Sequence, residues 1–259
     1  MLILLPPSEG KAAPRKGAAL RMSRLSFPTL NPTRTRVTHA LVKLCAGPPA
    51  KARTVLGISA RQDDELDRNR SLLTAPTAPA GEIYTGVLYD VLDLPTLPKR
   101  SRTRAASDIA IASALFGLLR IDDPIPAYRL SGDATLPGVG KLATMWRAVV
   151  PAAIADAADR GVILDLRSSA YVALGPVPPE ASERTLVARV LQEKGGKRTI
   201  VSHHNKATKG RSVRALLARP RPRTVDGVAE ALAAADYRVE LAPPVKGGPW
   251  TVDVVVREL

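Results

Sequence analysis

The sequence predicts a single α+β unit, and three observations carry that prediction. An uninterrupted apolar run opens the chain at Met1–Leu5 and is stopped by Pro6-Pro7, the pattern of a short buried strand. Apolar residues then recur at helical spacing between Lys141 and Ala158, and after Gly161 a second apolar run, Val162–Leu166, reads as another buried strand. Strand patterns at Tyr237–Leu241 and Trp250–Val256 close the chain. Strands at both ends with helices between them favour one domain over residues 1–259 rather than two independent ones.

Taken in order, the segment from Pro14 to Pro32 is basic, interrupted by Gly17, Pro28 and Pro32, and reads as irregular. Val37–Cys45 reads as a helix stopped by Gly47-Pro48-Pro49. Residues 61–73 suit a helix, because Asp63, Asp64 and Glu65 lie where the positive end of its dipole favours acids. Ile109–Leu119 is apolar and reads as a strand with a turn at Gly117. In Lys141–Ala158 the stripe is Leu142, Met145, Trp146, Val149, Val150 and Ile154, with Pro151 placed to kink or divide it. Leu186–Gln192 and Arg198–Ser202 alternate around Gly195-Gly196, a hairpin signal. Lys206–Arg219 and Val225–Ala235 read as helices.

Composition narrows the function classes. The 259 residues carry 38 Lys+Arg against 24 Asp+Glu, a formal charge of +14. The excess is local: residues 11–53 hold ten basic and no acidic residues, and residues 184–223 hold twelve basic residues and one acidic, Glu193. A local positive surface attracts polyanions. Aromatics make up 3%, too few for platforms that stack successive bases, so phosphate contact to a duplex or structured strand is the expected mode of any nucleic-acid binding. The single cysteine, Cys45, excludes an internal disulfide, a CxxC zinc site and a four-thiolate cluster within one chain, and it has no resolving partner as a peroxide sensor. No apolar run approaches a membrane span and no basic segment precedes the first one, so a soluble cytoplasmic protein is expected.

Several motifs fail on their spacing. A P-loop requires Gly at position 5 and Ser or Thr at position 12, where the chain has Leu5 and Ala12. Gly138-Val139-Gly140-Lys141-Leu142-Ala143 matches a dinucleotide fingerprint, yet the strand that should precede it is missing. The same residues fit the hairpin of a helix-hairpin-helix DNA-binding motif better. There, Gly138 and Gly140 would let a phosphate approach backbone N–H groups and Lys141 would add charge. His203 and His204 are adjacent and, on an extended segment, face opposite ways, so no metal site is expected and no cofactor is implied. Direct iron binding is disfavoured by the positive charge and scattered carboxylates.

Read together, several segments resemble the YaaA peroxide-stress family. They are Met1–Leu4 with the Pro7, Ser8 and Lys11 loop, Gly81–Gly86, Phe116–Arg120, Ile125–Leu130, Trp146, Asp165–Tyr171, and Ser202 with Lys206–Gly210. The resemblance implies a barrel-like mixed sheet surrounded by helices and crossed by a basic cleft. It also implies DNA binding, and a peroxide-stress role that lowers free iron indirectly.

These segments gather hydroxyls, guanidinium groups and amines in turns and at strand ends. Ser8, Lys11, Thr85, Arg120, Tyr128 and Ser168 are therefore expected to form an anion pocket. The leading expectation is a DNA-binding stress protein that contacts phosphates without reading sequence, through Gly138, Gly140, Lys141, Lys206, Lys209, Arg211 and Arg214. The alternative is an enzyme acting on a small anionic or nucleoside-like substrate, with Tyr84, Arg129, Asp165 and Lys206 as catalytic candidates. Whether the chain is an enzyme, and its oligomeric state, stay open at this point.

Overall fold

A computed structural model describes residues 1–194, 197–199 and 202–257. Its centre is strand β1 (Leu2–Leu5), every residue of which is buried. Pro6 and Pro7 end the strand because neither can donate to a ladder.

The chain then passes through two short 3₁₀ turns into α1 (Asn31–Ala46), α2 (Pro49–Leu56) and α3 (Asp64–Arg70). The short β2 (Ala78–Pro79), α4 (Ala80–Ile83), α5 (Val87–Leu92) and α6 (Lys99–Asp108) lead to the hairpin of β3 (Ile109–Ser113) and β4 (Gly117–Leu119). A short β5 (Pro124–Ile125) pairs with β2, and β6 (Thr135–Leu136) with β7 (Gly140–Lys141). After α7 (Leu142–Arg147) and α8 (Val150–Ala158) come β8 (Ile163–Asp165) and α9 (Ser169–Leu174). The remainder is β9 (Thr185–Lys194), β10 (Lys197–Thr199), α10 (Ser202–Ala218), α11 (Val225–Ala233), β11 (Arg238–Ala242) and β12 (Trp250–Arg257).

The described strands form an eight-stranded mixed sheet in the order β11-β12-β9-β8-β1-β3-β4, with β10 attached to β9. The five strands from β12 to β3 run parallel, while β11, β4 and β10 pair antiparallel. Parallel strands covered on both faces are apolar throughout, which is why Met1–Leu5 and Val162–Leu166 show no alternation. One hydrophobic cluster runs from Leu2 through Trp146 to Val254, so the α+β class is as expected. The barrel-like closure is not: among the described residues the sheet is open, with β11 and β4 as its edges.

One local expectation, the division of a helix at Pro151, is resolved and two others are corrected. The apolar stripe of 141–158 is two helices, since Pro151 sits in the first turn of α8 and Val149 leaves helical geometry at φ −131°. The chain turns at 114–116, and Gly117 opens β4 at φ +73°, where an added Cβ would lie 2.7 Å from the buried Trp146 ring. Helix α10 starts at Ser202, so His203 and His204 stand in its first turn rather than on a strand. Their side chains, like the Gly195-Gly196 turn, lie outside the described residues. None of the described helices is long and apolar enough to cross a membrane.

The strand order reverses at β1. The chain places β3 on one side of it, then returns to place β8 on the other. In open parallel sheets the loops leaving such a pair diverge, and the crevice between them at the carboxyl ends is the usual ligand position.

Candidate functional site

A cavity of about 740 Å³ opens at that reversal, within the range that holds a small ligand. Its walls are the loop after β1 (Pro6–Lys11), the segment Thr85–Tyr89, residues 129–131, the turn after β8 and the first half of α10. The β1 loop is held against its neighbour by an antiparallel bridge between Lys11 and Tyr84 and by the Ala12 N–H donating to Ile83 O at 2.8 Å. The Thr85 N–H donates to Ser8 Oγ at 3.1 Å, and the Tyr89 hydroxyl donates to Pro6 O at 2.7 Å. Gly10 is required by this closeness, because a Cβ there would come within 2.9 Å of Thr85 Oγ1.

Four cationic side chains line the cavity: Lys11, Arg129, Lys206 and Lys209. Lys11 Nζ donates to Ser8 O at 3.0 Å and Glu9 O at 3.3 Å and lies over the Tyr128 ring, 4.3 Å from its centroid. Burial, reinforced by the neighbouring Arg129 charge, pushes its pKa down to about 8. Lys209 Nζ donates to Leu166 O at 2.9 Å at the carboxyl end of β8, and burial lowers its pKa as well. Lys206 is exposed at the rim. Among the described residues Glu9 is the one carboxylate in the wall, and it faces Arg129 at 3.3 Å.

Beneath the loop, the hydroxyl groups of Tyr84 and Tyr128 share a hydrogen bond of 2.9 Å, and Ser113 Oγ lies 2.8 Å from Tyr128. Both tyrosines are buried, which raises their pKa values well above the ordinary phenol range. They support the Lys11 ammonium from below and lie outside the cavity wall. The expected catalytic placement of Tyr84 and pocket placement of Tyr128 are corrected to that extent.

The structure therefore brings together Ser8, Lys11, Thr85, Arg129, Ser168, Lys206 and Lys209. It separates the other expected residues for identifiable reasons. Arg120 follows β4, which runs back against β3, so it sits at the amino end of the parallel strands. There its Nη1 donates to Ile109 O at 3.1 Å and its guanidinium covers Phe27. Asp165 is buried in a bidentate pair with Arg167, at 2.9 and 2.6 Å, and also accepts the Arg167 N–H at 3.0 Å, so it serves as the counter-charge of a buried guanidinium and does not line the cavity. Arg214 donates to Leu92 O and Asp93 O, both at 2.8 Å, and so closes the carboxyl end of α5. Arg211 is exposed but does not line the cavity. Gly138, Gly140 and Lys141 are exposed on the β6–β7 hairpin, away from the cavity, and no helix precedes that hairpin between residues 120 and 141. The helix-hairpin-helix motif is thus incomplete on its N-terminal side.

Among the described residues, only Lys11 from 11–53 and Lys206 and Lys209 from 184–223 reach the pocket, so most of the two basic stretches does not line it. Several of the others serve the fold. Arg34 is fully buried and donates to Phe116 O at 2.9 Å and Leu118 O at 2.7 Å. Arg189 pairs with Asp253 at 2.7 Å, and Arg221 with Asp108 at 2.7 Å.

Residues that the sequence reading missed include Glu9, Tyr171 and Asn205 in the wall, and Asn69 behind it. Fully buried Asn69 donates from Nδ2 to Arg129 O at 2.8 Å and accepts the Arg129 N–H on Oδ1 at 2.9 Å, fixing the backbone that carries Arg129. Its signal was available: it lies three residues after buried Leu66, on the apolar face of an otherwise charged helix.

Fold and cavity define the class first: an open mixed α+β sheet with a cation-lined cavity at the carboxyl ends of its parallel strands. The chain belongs to the YaaA peroxide stress protein family, whose sequence profile matches residues 1–242. It is 49% identical to a UPF0246 protein of Streptomyces coelicolor over 261 residues, covering 100% of both chains. It is 42% identical to a UPF0246 protein of Corynebacterium glutamicum strain R, covering 94% of this chain and 96% of the relative. A third relative, from Corynebacterium efficiens, is 43% identical over 98% of this chain and 95% of its own.

Proposed function

We propose that this peroxide-stress family protein binds a small phosphate-bearing anion, of the nucleotide class, in the pocket between the loops that follow β1 and β8. The observation that supports this reading is the convergence of Lys11, Arg129, Lys206 and Lys209 on one cavity whose single carboxylate among the described residues, Glu9, faces Arg129. Ser8, Thr85 and Ser168 add hydroxyls in the same wall, a donor set suited to phosphate oxygens. If the bound anion is a substrate, Arg129 and Lys206 are the members of the expected catalytic set that can touch it.

A second reading, DNA contact through backbone phosphates, is favoured by Lys206 standing exposed at the rim and by Lys141 and Arg211 being exposed elsewhere. In both readings a lowering of free iron under hydrogen peroxide is proposed as an indirect consequence of ligand binding.

Thermal unfolding with adenosine 5′-monophosphate or a short DNA duplex, each in low and high salt, separates the two. At about 0.5 M salt the screening length falls to about 4 Å, which weakens exposed phosphate contacts far more than enclosed ones. The nucleotide, at a hundred times its dissociation constant, is expected to stabilise the protein by about 2.7 kcal/mol and to keep most of that in high salt. A duplex effect is expected to vanish there. Stabilisation by the duplex alone would reverse the order of the readings.

A further inference from the structure

A second cavity, of about 500 Å³, opens against the first, and the two share Arg129 and Ser131. The partition between them is a single segment of chain. Asn69 fixes its backbone at Arg129, and its Gly132 is buried against Tyr171, a wall residue of the first cavity. A Cβ on Gly132 would come within 3.4 Å of that ring, so the segment lies close along the first cavity's wall. A ligand seated in the first cavity therefore has only Ser131 to pass before it enters the second.

The two spaces differ in charge. Among the described residues the first holds four cations and one carboxylate, more positive charge than one phosphate group neutralises. The second holds one cation, Arg129, and one carboxylate, Asp133, with hydroxyls from Thr54, Ser131 and Thr135. Asp133 is exposed, and Arg129 directs its Nη1 to Glu9 at 3.3 Å rather than to Asp133. Thr54 Oγ1 donates to Ala50 O at 3.0 Å, so it offers a ligand lone pairs. Thr54–Gly57 form the end of α2, where carbonyls of the last turn lack intrahelical donors. The second cavity is thus rich in acceptors, and its occupant must bring donors. An ammonium group would meet the charge of Arg129, and a further phosphate would meet Asp133. A neutral, hydroxyl-bearing group suits both, because each hydroxyl donates to a carboxylate and accepts from a guanidinium.

We propose that the second cavity is the sugar subsite of a ligand whose diphosphate lies in the first, a nucleoside diphosphate carrying a terminal sugar. The inference rests on the anion-binding reading above and names the class of that anion. Arg129 touches both parts of the ligand. Asp133 accepts the hydroxyls of the terminal sugar, as acidic residues do with ribose in other nucleotide sites.

The test is calorimetric titration of ADP and of ADP-ribose into the full chain, as wild type and as Asp133→Asn, at about pH 7.5. ADP carries the greater negative charge, because its terminal phosphate is a monoester, so charge alone favours ADP. The expected result is the reverse: ADP-ribose binds the wild type about tenfold more tightly than ADP, and Asp133→Asn removes most of that ratio. Asp133 is exposed, and an unchanged melting temperature checks that the variant folds. ADP-ribose binding no more tightly than ADP, or a ratio untouched by Asp133→Asn, overturns the subsite; the wild-type ratio decides even if the variant fails to fold. ADP binding reports on the anion-binding reading separately. ADP bound with no gain from the sugar sinks only the subsite, and binding of neither ligand sinks the anion site itself.

Discussion

Asp165→Asn is expected to destabilise the protein by about 3–5 kcal/mol, because it leaves the Arg167 guanidinium buried without a counter-charge. Both side chains are buried, and the pair contacts at 2.6 Å. Arg167 Nη1 also donates to Gly175 O at 2.7 Å, so the pair ties the end of β8 to the chain beyond α9. For a chain of this size the loss corresponds to a melting temperature lower by about 10 °C, readable by calorimetry or circular dichroism. The variant keeps the shape of the side chain while removing its charge and turning one acceptor oxygen into an NH2 donor, so packing defects do not confuse the result. An unchanged melting temperature would mean that Asp165 is dispensable to the fold and would restore it as a candidate base.

Gly210→Ala is expected to be the second most damaging single change. In an open helix this substitution stabilises by about 1 kcal/mol. Here α10 crosses α5 so closely that a Cβ at position 210 would lie 2.4 Å from Leu88 O and 3.2 Å from Leu92 N. Backbone atoms on a packed helix cannot step aside, so the two helices must separate, at a net cost of about 1–3 kcal/mol. The same separation moves Lys206 and Lys209 away from the Thr85–Tyr89 wall. A lower melting temperature is therefore expected together with several-fold weaker nucleotide binding. A rise in melting temperature would show that α10 and α5 do not make this contact.

The central strands were legible because their burial on both faces leaves an unbroken apolar run bounded by Pro or Gly, as at Met1–Leu5 and Val162–Leu166. Much of the pocket was legible for a related reason. Ser8, Lys11 and Ser168 follow such runs directly, and residues that follow parallel strands share one edge of the sheet. Arg120 broke that logic because β4 reverses direction, and local sequence does not reveal to which end a hairpin returns its last residue. Arg214 lies off the cavity because its acceptors, Leu92 O and Asp93 O, come from a distant segment, which a count of charges does not reveal. The Asp165–Arg167 pair carried a weaker signal, an acid and a base two residues apart at the end of an apolar run, because Arg167 lies beyond β8. Asn69 carried another, in its spacing from Leu66.

The most direct test is calorimetric titration of adenosine 5′-monophosphate into the wild type, an Arg129→Met/Lys206→Met double variant and Lys141→Glu. Each lost charged contact is expected to cost at least about 1.5 kcal/mol, so the double variant should bind on the order of a hundredfold more weakly. Lys141→Glu, on the separate β6–β7 hairpin, should bind like the wild type. Undiminished binding by the double variant, or a greater loss in Lys141→Glu, would place the anion elsewhere and contradict the pocket.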